Sequence, residues 1–262
     1  MTLTGGVDIG STTAKCVLVE DGRVVGKSLA PVGVDIVRDA DHAFDEALLD
    51  AHRGREEVAF IVGTGYGRFK IRFGQLVVTE ISCHARGASH LFPGTRLVLD
   101  IGGQDTKVIR VSERGEVEDF AMNDKCAAGT GRFLDVCANA LGFDVAEIGP
   151  VSLTARRPVK VTSTCTVFAE SEVTSHLSRG KEPPDILAGL HASIASRSLS
   201  LMQRVGVVPE VTFTGGVSRN EGMVRALAQR VGLPVNVSPL SQFIGALGAA
   251  LLGQERAAGA GA

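Results

Sequence analysis

Two short stretches of the chain combine an acid, a glycine turn and a lysine, residue types suited to phosphate chemistry. The first reads Asp-Ile-Gly-Ser-Thr-Thr-Ala-Lys over residues 8–15, and the second reads Asp-Ile-Gly-Gly-Gln-Asp-Thr-Lys over residues 100–107. Backbone N–H groups in glycine-rich turns can hold phosphate oxygens, and a carboxylate can hold a magnesium ion through water. We therefore expect Asp8 and Asp100 to organise magnesium beside a bound phosphate chain.

The residues around both turns predict the elements that position them. A short apolar run precedes each acid and another follows each lysine, which is typical of a β-hairpin with little side-chain bulk in its turn. Residues 3–29 and 97–122 both read as three-stranded meanders, with further turns at Asp21-Gly22 and Arg114-Gly115. A motif that occurs twice indicates an internal repeat, so we expect two related lobes that face each other across a cleft.

The repeat divides the chain with no long linker. We expect a first lobe over residues 1–95, with the first phosphate motif, and a second over residues 96–262, with the second motif and most helices. The C-terminal helix could pack back on the first lobe. Helical patterns occur at residues 39–52, from 80 onward, and at 130–141, 166–179, 184–205, 220–231 and 242–252. The small, Gly/Ala-rich tail over residues 255–262 is expected to fray.

Composition limits the classes of protein to consider. The chain has 262 residues, 44% hydrophobic and 21% charged, which is typical of a globular protein. A net charge of −2 gives no reason to expect nucleic acid or a membrane as partner. No signal peptide is visible and no apolar stretch reaches the roughly 18 residues that a membrane span needs. We therefore expect a cytoplasmic protein.

Two further segments suit a nucleoside. Thr-Gly-Gly-Val-Ser-Arg-Asn, at residues 214–220, reads as a strand end, a glycine pair and a helix start, so Gly215, Gly216 and Asn220 could border an adenosine. Gly245 lies in a slim helix of glycine and alanine that suits packing beside a flat base. A third glycine cluster, residues 63–68, follows a predicted strand, and a simple loop and a ligand site are equally open there.

Together these motifs resemble the two phosphate motifs and the adenosine motif of the actin-like ATPase superfamily. The resemblance implies an α/β, two-lobed actin-like (ribonuclease H-like) ATPase fold, a duplicated βββαβα unit that closes on ATP. Glu80, at the head of a helix, matches the place where many members carry an acid that orients magnesium or the attacking water. No Walker A motif is present, which makes a P-loop fold a poor interpretation.

Two of the five cysteines, Cys126 and Cys165, precede predicted helix starts and have small neighbours. Free N–H groups at a helix N-terminus stabilise a thiolate. Simple packing of both cysteines remains an alternative, because no Cys-x-x-Cys is present. Two thiolates cannot complete a site that usually takes four, but a twofold homodimer would supply four, which predicts one 4Fe-4S cluster per homodimer. The other three, Cys16, Cys83 and Cys137, read as core residues.

The segments around Cys126 and Cys165 resemble those of the 2-hydroxyacyl-CoA dehydratase activators, of the BadF/BadG/BcrA/BcrD type, over essentially the whole chain. That resemblance implies a homodimeric ATPase with Cys126 and Cys165 as cluster ligands. It also implies ATP-driven injection of a low-potential electron into a two-subunit iron–sulfur 2-hydroxyacyl-CoA dehydratase, with a ferredoxin or flavodoxin as electron donor. The ATPase subunit of an ATP-dependent benzoyl-CoA reductase, a small-molecule kinase and a non-redox filament or sensor ATPase stay open as alternatives.

Individual roles follow for the phosphate turns. Gln104 is the first candidate for placing the attacking water and Glu80 the second, although Gln104 could also be a plain turn residue. Lys15 and Lys107 could meet phosphate or end a strand in solvent. The expected contacts to the ATP or ADP phosphates come from Gly10, Ser11, Thr12, Thr13, Gly102 and Gly103. Because the meander that leaves Asp100 ends just before Cys126, we expect the state of the nucleotide and the state of the cluster to be coupled there.

Overall fold

A computed structural model describes residues 2–162 and 165–259. The internal contacts divide the chain into two compact units. Unit 1 comprises the described residues up to Thr95, the segment Val111–Glu118 and the described residues from Phe243 onward. Unit 2 comprises Arg96–Arg110 and Asp119–Gln242. Each contains one of the two predicted phosphate turns.

The first sheet consists of β1 (Leu3–Ile9), β2 (Thr13–Glu20), β3 (Arg23–Pro31), β4 (Val58–Thr64) and β5 (Leu76–Val77). Its strand order is β3-β2-β1-β4-β5. β1 pairs antiparallel with β2 and parallel with β4. The predicted turn between β2 and β3 is confirmed, because Asp21 and Gly22 have φ of 48° and 78°, the positive values that a tight hairpin of this type needs.

The second sheet consists of β6 (Leu97–Ile101), β7 (Thr106–Val111), β8 (Val117–Asn123), β9 (Val211–Thr214) and β10 (Val235–Asn236). Its strand order is β10-β9-β6-β7-β8. β6 pairs antiparallel with β7 and parallel with β9, which repeats the arrangement around β1. The duplicated meander predicted from the sequence is therefore present, and the fold is the expected actin-like one.

The helices are α1 (Ile36–Ala51), α2 (Glu80–Leu91), α3 (Gly131–Leu141), α4 (Ile148–Leu153), α5 (Thr166–Ser178), α6 (Pro183–Val205), α7 (Glu221–Val231) and α8 (Ile244–Gly259). The core of unit 2 contains Phe133, Ile194 and Phe213, all fully buried. No helix within the described ranges is long and apolar enough to cross a membrane.

The small residues of α8 allow it to approach its neighbours in unit 1 closely. A Cβ on Gly6 of β1 would overlap the Ala246 carbonyl, and one on Gly248 would overlap the Cys83 carbonyl of α2. α8 also continues to Gly259, so the expectation that the tail frays from residue 255 is wrong for residues 255–259. Residues 260–262 lie outside the described chain.

Candidate functional site

The first phosphate turn joins β1 to β2. The Gly10 N–H donates to the carbonyl of Thr13 over 3.0 Å, which closes the turn. Ser11 and Thr12 are exposed there. Asp8 is buried next to the turn, and Lys15, its partner in the strand register, places Nζ 3.4 Å from Asp8 Oδ2. Exposed hydroxyl groups thus lie near a carboxylate whose position is fixed by an ion pair.

The second turn, between β6 and β7, repeats this arrangement with one more carboxylate. The Gly102 N–H donates to the Asp105 carbonyl over 3.0 Å. Lys107 Nζ lies 3.4 Å from Asp100 Oδ2 and 2.7 Å from Asp105 Oδ2. Lys107 and Asp100 are both buried, whereas Gln104 is exposed. Two carboxylates around one ammonium leave a formal negative charge, which suits a divalent cation.

The strands parallel to β1 and β6 bring a threonine beside each acid. Thr64 of β4 is the register partner of Asp8, and Thr214 of β9 is the register partner of Asp100. A Thr-Gly pair at the end of an apolar strand is the sequence signal they share. Both glycine clusters are visible in the sequence, but their equivalence is not, because it depends on which strands pair.

The glycine after each threonine is required by its conformation and by its neighbours. Gly65 and Gly215 have φ of +87° and +84°, values that favour glycine. A Cβ on Gly65 would overlap Asp8 Oδ1, and a Cβ on Gly215 would lie 2.9 Å from Asp100 Oδ1. Each carboxylate is therefore held against the backbone of the neighbouring strand.

The two threonines make different hydrogen bonds. Thr214 Oγ1 donates to Asp100 Oδ1 over 2.8 Å, inside unit 2. Thr64 Oγ1 is also buried, but it makes no hydrogen bond to Asp8. The carboxylate of Asp100 is thus oriented by a hydroxyl group and an ammonium, a combination that fixes both of its oxygens.

Asp8 instead has helical neighbours in unit 1. A Cβ on Gly245, at the start of α8, would lie 2.8 Å from Asp8 Oδ2 and 3.0 Å from His84 Cε1. His84 Nδ1 donates to the carbonyl of Glu80, the first residue of α2, over 2.8 Å. The structure thus brings Gly245 to Asp8, with Glu80 one turn of helix away from His84.

The segment that contains Cys126 is hydrogen-bonded to the second phosphate turn. The Gly131 N–H donates to the Gly102 carbonyl over 2.9 Å, and the Arg132 N–H donates to the Gly103 carbonyl over 2.8 Å. Both donors belong to the first turn of α3, where N–H groups lack partners within the helix. The glycine pair that is expected to meet phosphate therefore also fixes the start of α3.

The two candidate ligand cysteines differ from the other three in exposure. Cys126 is exposed in the loop before α3, and Cys165 is half-buried at the N-cap of α5. The predicted core cysteines, Cys16, Cys83 and Cys137, are all buried. Burial raises the pKa of the Cys83 and Cys137 thiols to about 12. Only Cys126 and Cys165 combine accessibility with a position near a helix start.

The predicted adenosine motif forms one continuous segment of unit 2. Gly215 follows β9 and its N–H donates to the Ser241 carbonyl over 3.1 Å. A short 3-10 turn, Gly216–Arg219, leads to Asn220, the N-cap of α7. Asn220 Oδ1 accepts from the Met223 N–H over 2.9 Å.

Comparisons with known proteins find similar proteins over nearly the whole chain. The model of the family described as "BadF/BadG/BcrA/BcrD ATPase family" matches residues 6–253. The (R)-2-hydroxyglutaryl-CoA dehydratase activating ATPase of Acidaminococcus fermentans is 48% identical over 257 residues, which cover 97% of this chain and 98% of that protein.

Two solved structures are similar over nearly the whole chain. The A. fermentans (R)-2-hydroxyglutaryl-CoA dehydratase component A has a TM-score of 0.96 at 47% identity, covering 98% of this chain and 100% of that one. The activator of the 2-hydroxyisocaproyl-CoA dehydratase from Clostridium difficile, solved with bound ADPNP, has a TM-score of 0.95 at 42% identity, covering 99% and 97%.

Proposed function

The chain belongs to the BadF/BadG/BcrA/BcrD ATPase family, and from this membership we propose that it is the activating ATPase of a 2-hydroxyacyl-CoA dehydratase. In this proposal two copies of the chain share one 4Fe-4S cluster, and hydrolysis of MgATP to ADP and phosphate drives one low-potential electron from a ferredoxin or flavodoxin into the dehydratase. The relatives named as dehydratase activators support the proposal that the partner is a dehydratase.

The observation that supports the coupling best is the pair of hydrogen bonds from α3 to the second phosphate turn. Gly131 and Arg132 donate to the carbonyls of Gly102 and Gly103, on the C-terminal side of the loop that carries Cys126. A phosphate that binds the N–H groups of the glycine turn would shift those carbonyls and, with them, the start of α3. One short segment can therefore respond to the nucleotide and to the cysteine.

The cysteines fit half of a cluster site. Cys126 is exposed in the loop before α3, and Cys165 is accessible at the N-cap of α5, where the helix N-terminus favours a thiolate. The cation of Arg197 lies 5.6 Å from the Phe133 ring, and burial lowers its pKa, a shift that the nearby Cys126 only partly offsets. Within the described part of one chain, no group of three or more His, Cys, Asp or Glu could hold a metal ion, so the proposal requires a second copy. When bound, the cluster stores one electron.

The nucleotide roles extend the proposal to both repeats. Asp8 and Asp100 organise magnesium, and the exposed Ser11 and Thr12 with the two glycine turns hold phosphate. Gln104 is exposed in the second turn, where it can position the attacking water, and Glu80 remains the alternative. Gly215, Gly216, Asn220 and Gly245 border the adenosine.

Iron content tests the cluster assignment. We expect brown, dimeric protein after anaerobic purification, with about four iron atoms per two chains. Cys126→Ser and Cys165→Ser should each lose the iron but keep nucleotide binding. Cys137→Ala is the matched control, because Cys137 is a buried cysteine of the same unit, and it should keep the iron. Iron retained in Cys126→Ser would show that the ligand assignment is wrong.

Activation of a dehydratase tests the function itself. We expect the reduced protein to activate the A. fermentans 2-hydroxyglutaryl-CoA dehydratase only when ATP, magnesium and a reductant are all present. Cys126→Ser should hydrolyse ATP without activating the enzyme. A colourless protein that phosphorylates a small molecule, or an iron-loaded protein that hydrolyses ATP without activating any 2-hydroxyacyl-CoA dehydratase, would overturn the proposal.

A further inference from the structure

A buried histidine connects two helices to the end of the adenosine motif. His191 lies on α6 and is 1% exposed. Its Nδ1 lies 3.1 Å from Ser152 Oγ of α4, and its Nε2 lies 3.1 Å from Asn220 Nδ2 at the N-cap of α7. All three residues belong to unit 2, and none has a role in the nucleotide chemistry so far except Asn220.

The donor and the acceptor of each hydrogen bond in this network can be assigned in one consistent way. The amide oxygen of Asn220 accepts from the Met223 N–H, so the amide nitrogen must be the group that faces His191. His191 Nε2 is therefore an unprotonated acceptor, and Nδ1 carries the hydrogen and donates to Ser152 Oγ. Ser152 Oγ in turn donates to the Gly149 carbonyl over 2.7 Å. Each polar group has a partner only while His191 is neutral.

Glycines make the space for this network. A Cβ on Gly222 of α7 would overlap Ser152 Oγ and would lie 2.8 Å from His191 Nδ1. A Cβ on Gly149 of α4 would lie 2.8 Å from Asn220 Oδ1. The three helices therefore meet at a point where only hydrogen atoms fit beside the polar side chains, so the Asn220 amide has little freedom to rotate.

Burying an imidazole that has no charged partner among the residues that the structure describes costs free energy of desolvation. Such networks hold their members in one arrangement when every member is satisfied. Here the member nearest to the proposed adenosine site is Asn220, which is only half-buried. Its amide nitrogen has two hydrogens, of which His191 takes one.

We propose that His191 is a positioning residue for the nucleotide: it fixes the Asn220 amide so that the second Nδ2 hydrogen is presented to an acceptor atom of the adenosine. The inference rests on the proposed nucleotide role of Asn220. His191 does not touch the nucleotide in this account and acts through Asn220 alone.

Two substitutions of His191 test its two ring nitrogens separately. In His191→Gln the amide reaches the position of Nε2 and can accept from Asn220. In His191→Asn the shorter amide reaches only the position of Nδ1 and can bond Ser152. We expect His191→Asn to weaken binding of ATP by about tenfold, and His191→Gln to stay within about threefold of the natural protein. The value of kcat at saturating ATP should change less than twofold in both.

The measurement is calorimetric titration of the iron-loaded dimer with MgATP under anaerobic conditions, with a thermal unfolding scan of each variant. Equal affinity in His191→Asn and the natural protein would overturn the inference. So would equal losses in both variants that follow the loss of thermal stability, because a structural role alone predicts that pattern. If the natural protein binds no ATP, the proposed function fails instead of this inference.

Discussion

The loops that follow β4 and β9 begin alike and end differently. Both start with a threonine and a glycine of positive φ beside a buried aspartate, at Thr64-Gly65 and Thr214-Gly215. The loop after β4 continues with Tyr66, which is 76% exposed. The loop after β9 instead continues with Gly216 and ends at Asn220, which is anchored by His191.

Under the proposed function, this difference gives the two copies of one repeated scaffold different roles. The shared part is a strand end packed against a carboxylate. It appears in both repeats and suits magnesium and phosphate, which both repeats can contact. The part that differs suits the adenosine, which occurs once per nucleotide. The glycine at position 216 leaves room for a ligand, whereas the exposed ring of Tyr66 occupies the equivalent position in the first repeat.

The buried aspartates that both repeats share predict the largest effect on ATP hydrolysis. Asp8→Asn and Asp100→Asn should each lower the kcat of ATP hydrolysis by about a thousandfold, because each removes roughly 4 kcal/mol of charge stabilisation at the metal. Steady-state assays with magnesium in excess measure this. Asp119→Asn is the control, since Asp119 is exposed on β8. A large loss from only one of the two aspartates would show that the repeat is not duplicated in function.

The His191 network of the second repeat predicts a dependence of stability on pH. Burial lowers the pKa of His191 to about 4, below its usual 6.5. The unfolded chain therefore binds a proton in this window that the folded chain does not, and the free energy of unfolding should fall by up to about 3 kcal/mol as pH drops from 6.5 to 4. Denaturant titrations at several pH values measure it.

His191→Gln removes the titrating group and is the matched variant. Its unfolding free energy should lose this part of the pH dependence while other groups keep theirs. An unchanged slope between pH 6.5 and 4 in His191→Gln would show that His191 is not the titrating residue.

The two threonines predict an intermediate effect. Thr214→Val removes a hydrogen bond to the Asp100 carboxylate and should lower kcat by about thirtyfold, or ~2 kcal/mol, because bonds to charged groups are of that strength. Thr64→Val removes a hydroxyl group that makes no bond to Asp8, so its kcat should stay within about threefold. Equal losses of activity in Thr214→Val and Thr64→Val would contradict the difference expected between the two threonines.

Gly216 predicts the smallest effect. Its backbone has no positive φ, and a Cβ there would meet only Gln242 Nε2, at an ordinary 3.7 Å. Gly216→Ala should therefore fold normally and yet weaken ATP binding by about tenfold, because the added methyl group meets the nucleotide. Calorimetric titration tests this, with Tyr66→Ala as control. Normal affinity in Gly216→Ala would place the adenosine elsewhere.

Local patterns were sufficient to predict most of the fold. β1, β7 and β9 begin and end at the predicted residues, and the turns at Asp21-Gly22 and Gly115 have the expected positive φ. α4 was not predicted, because six residues with Pro150 at the third position show no helical period. The end of α8 was also misjudged, because packing and not composition decides how far the helix extends.

The site was only partly accessible from the sequence. The acid–glycine turns and the two candidate ligand cysteines could be proposed from the sequence, because each belongs to a local motif. The hydrogen bonds of Gly131 and Arg132 to the phosphate turn, the Thr214–Asp100 bond and the His191 network could not, because each joins residues that are distant in sequence or depends on strand register.

The proposed coupling between the second phosphate turn and Cys126 has a direct test that needs no dehydratase. It is the electron paramagnetic resonance spectrum of the reduced, iron-loaded dimer, recorded with and without MgATP. We expect MgATP to change the spectrum of the natural protein and to leave that of Asp100→Asn unchanged. A spectrum that does not respond to MgATP in a dimer that binds and hydrolyses ATP would contradict the account.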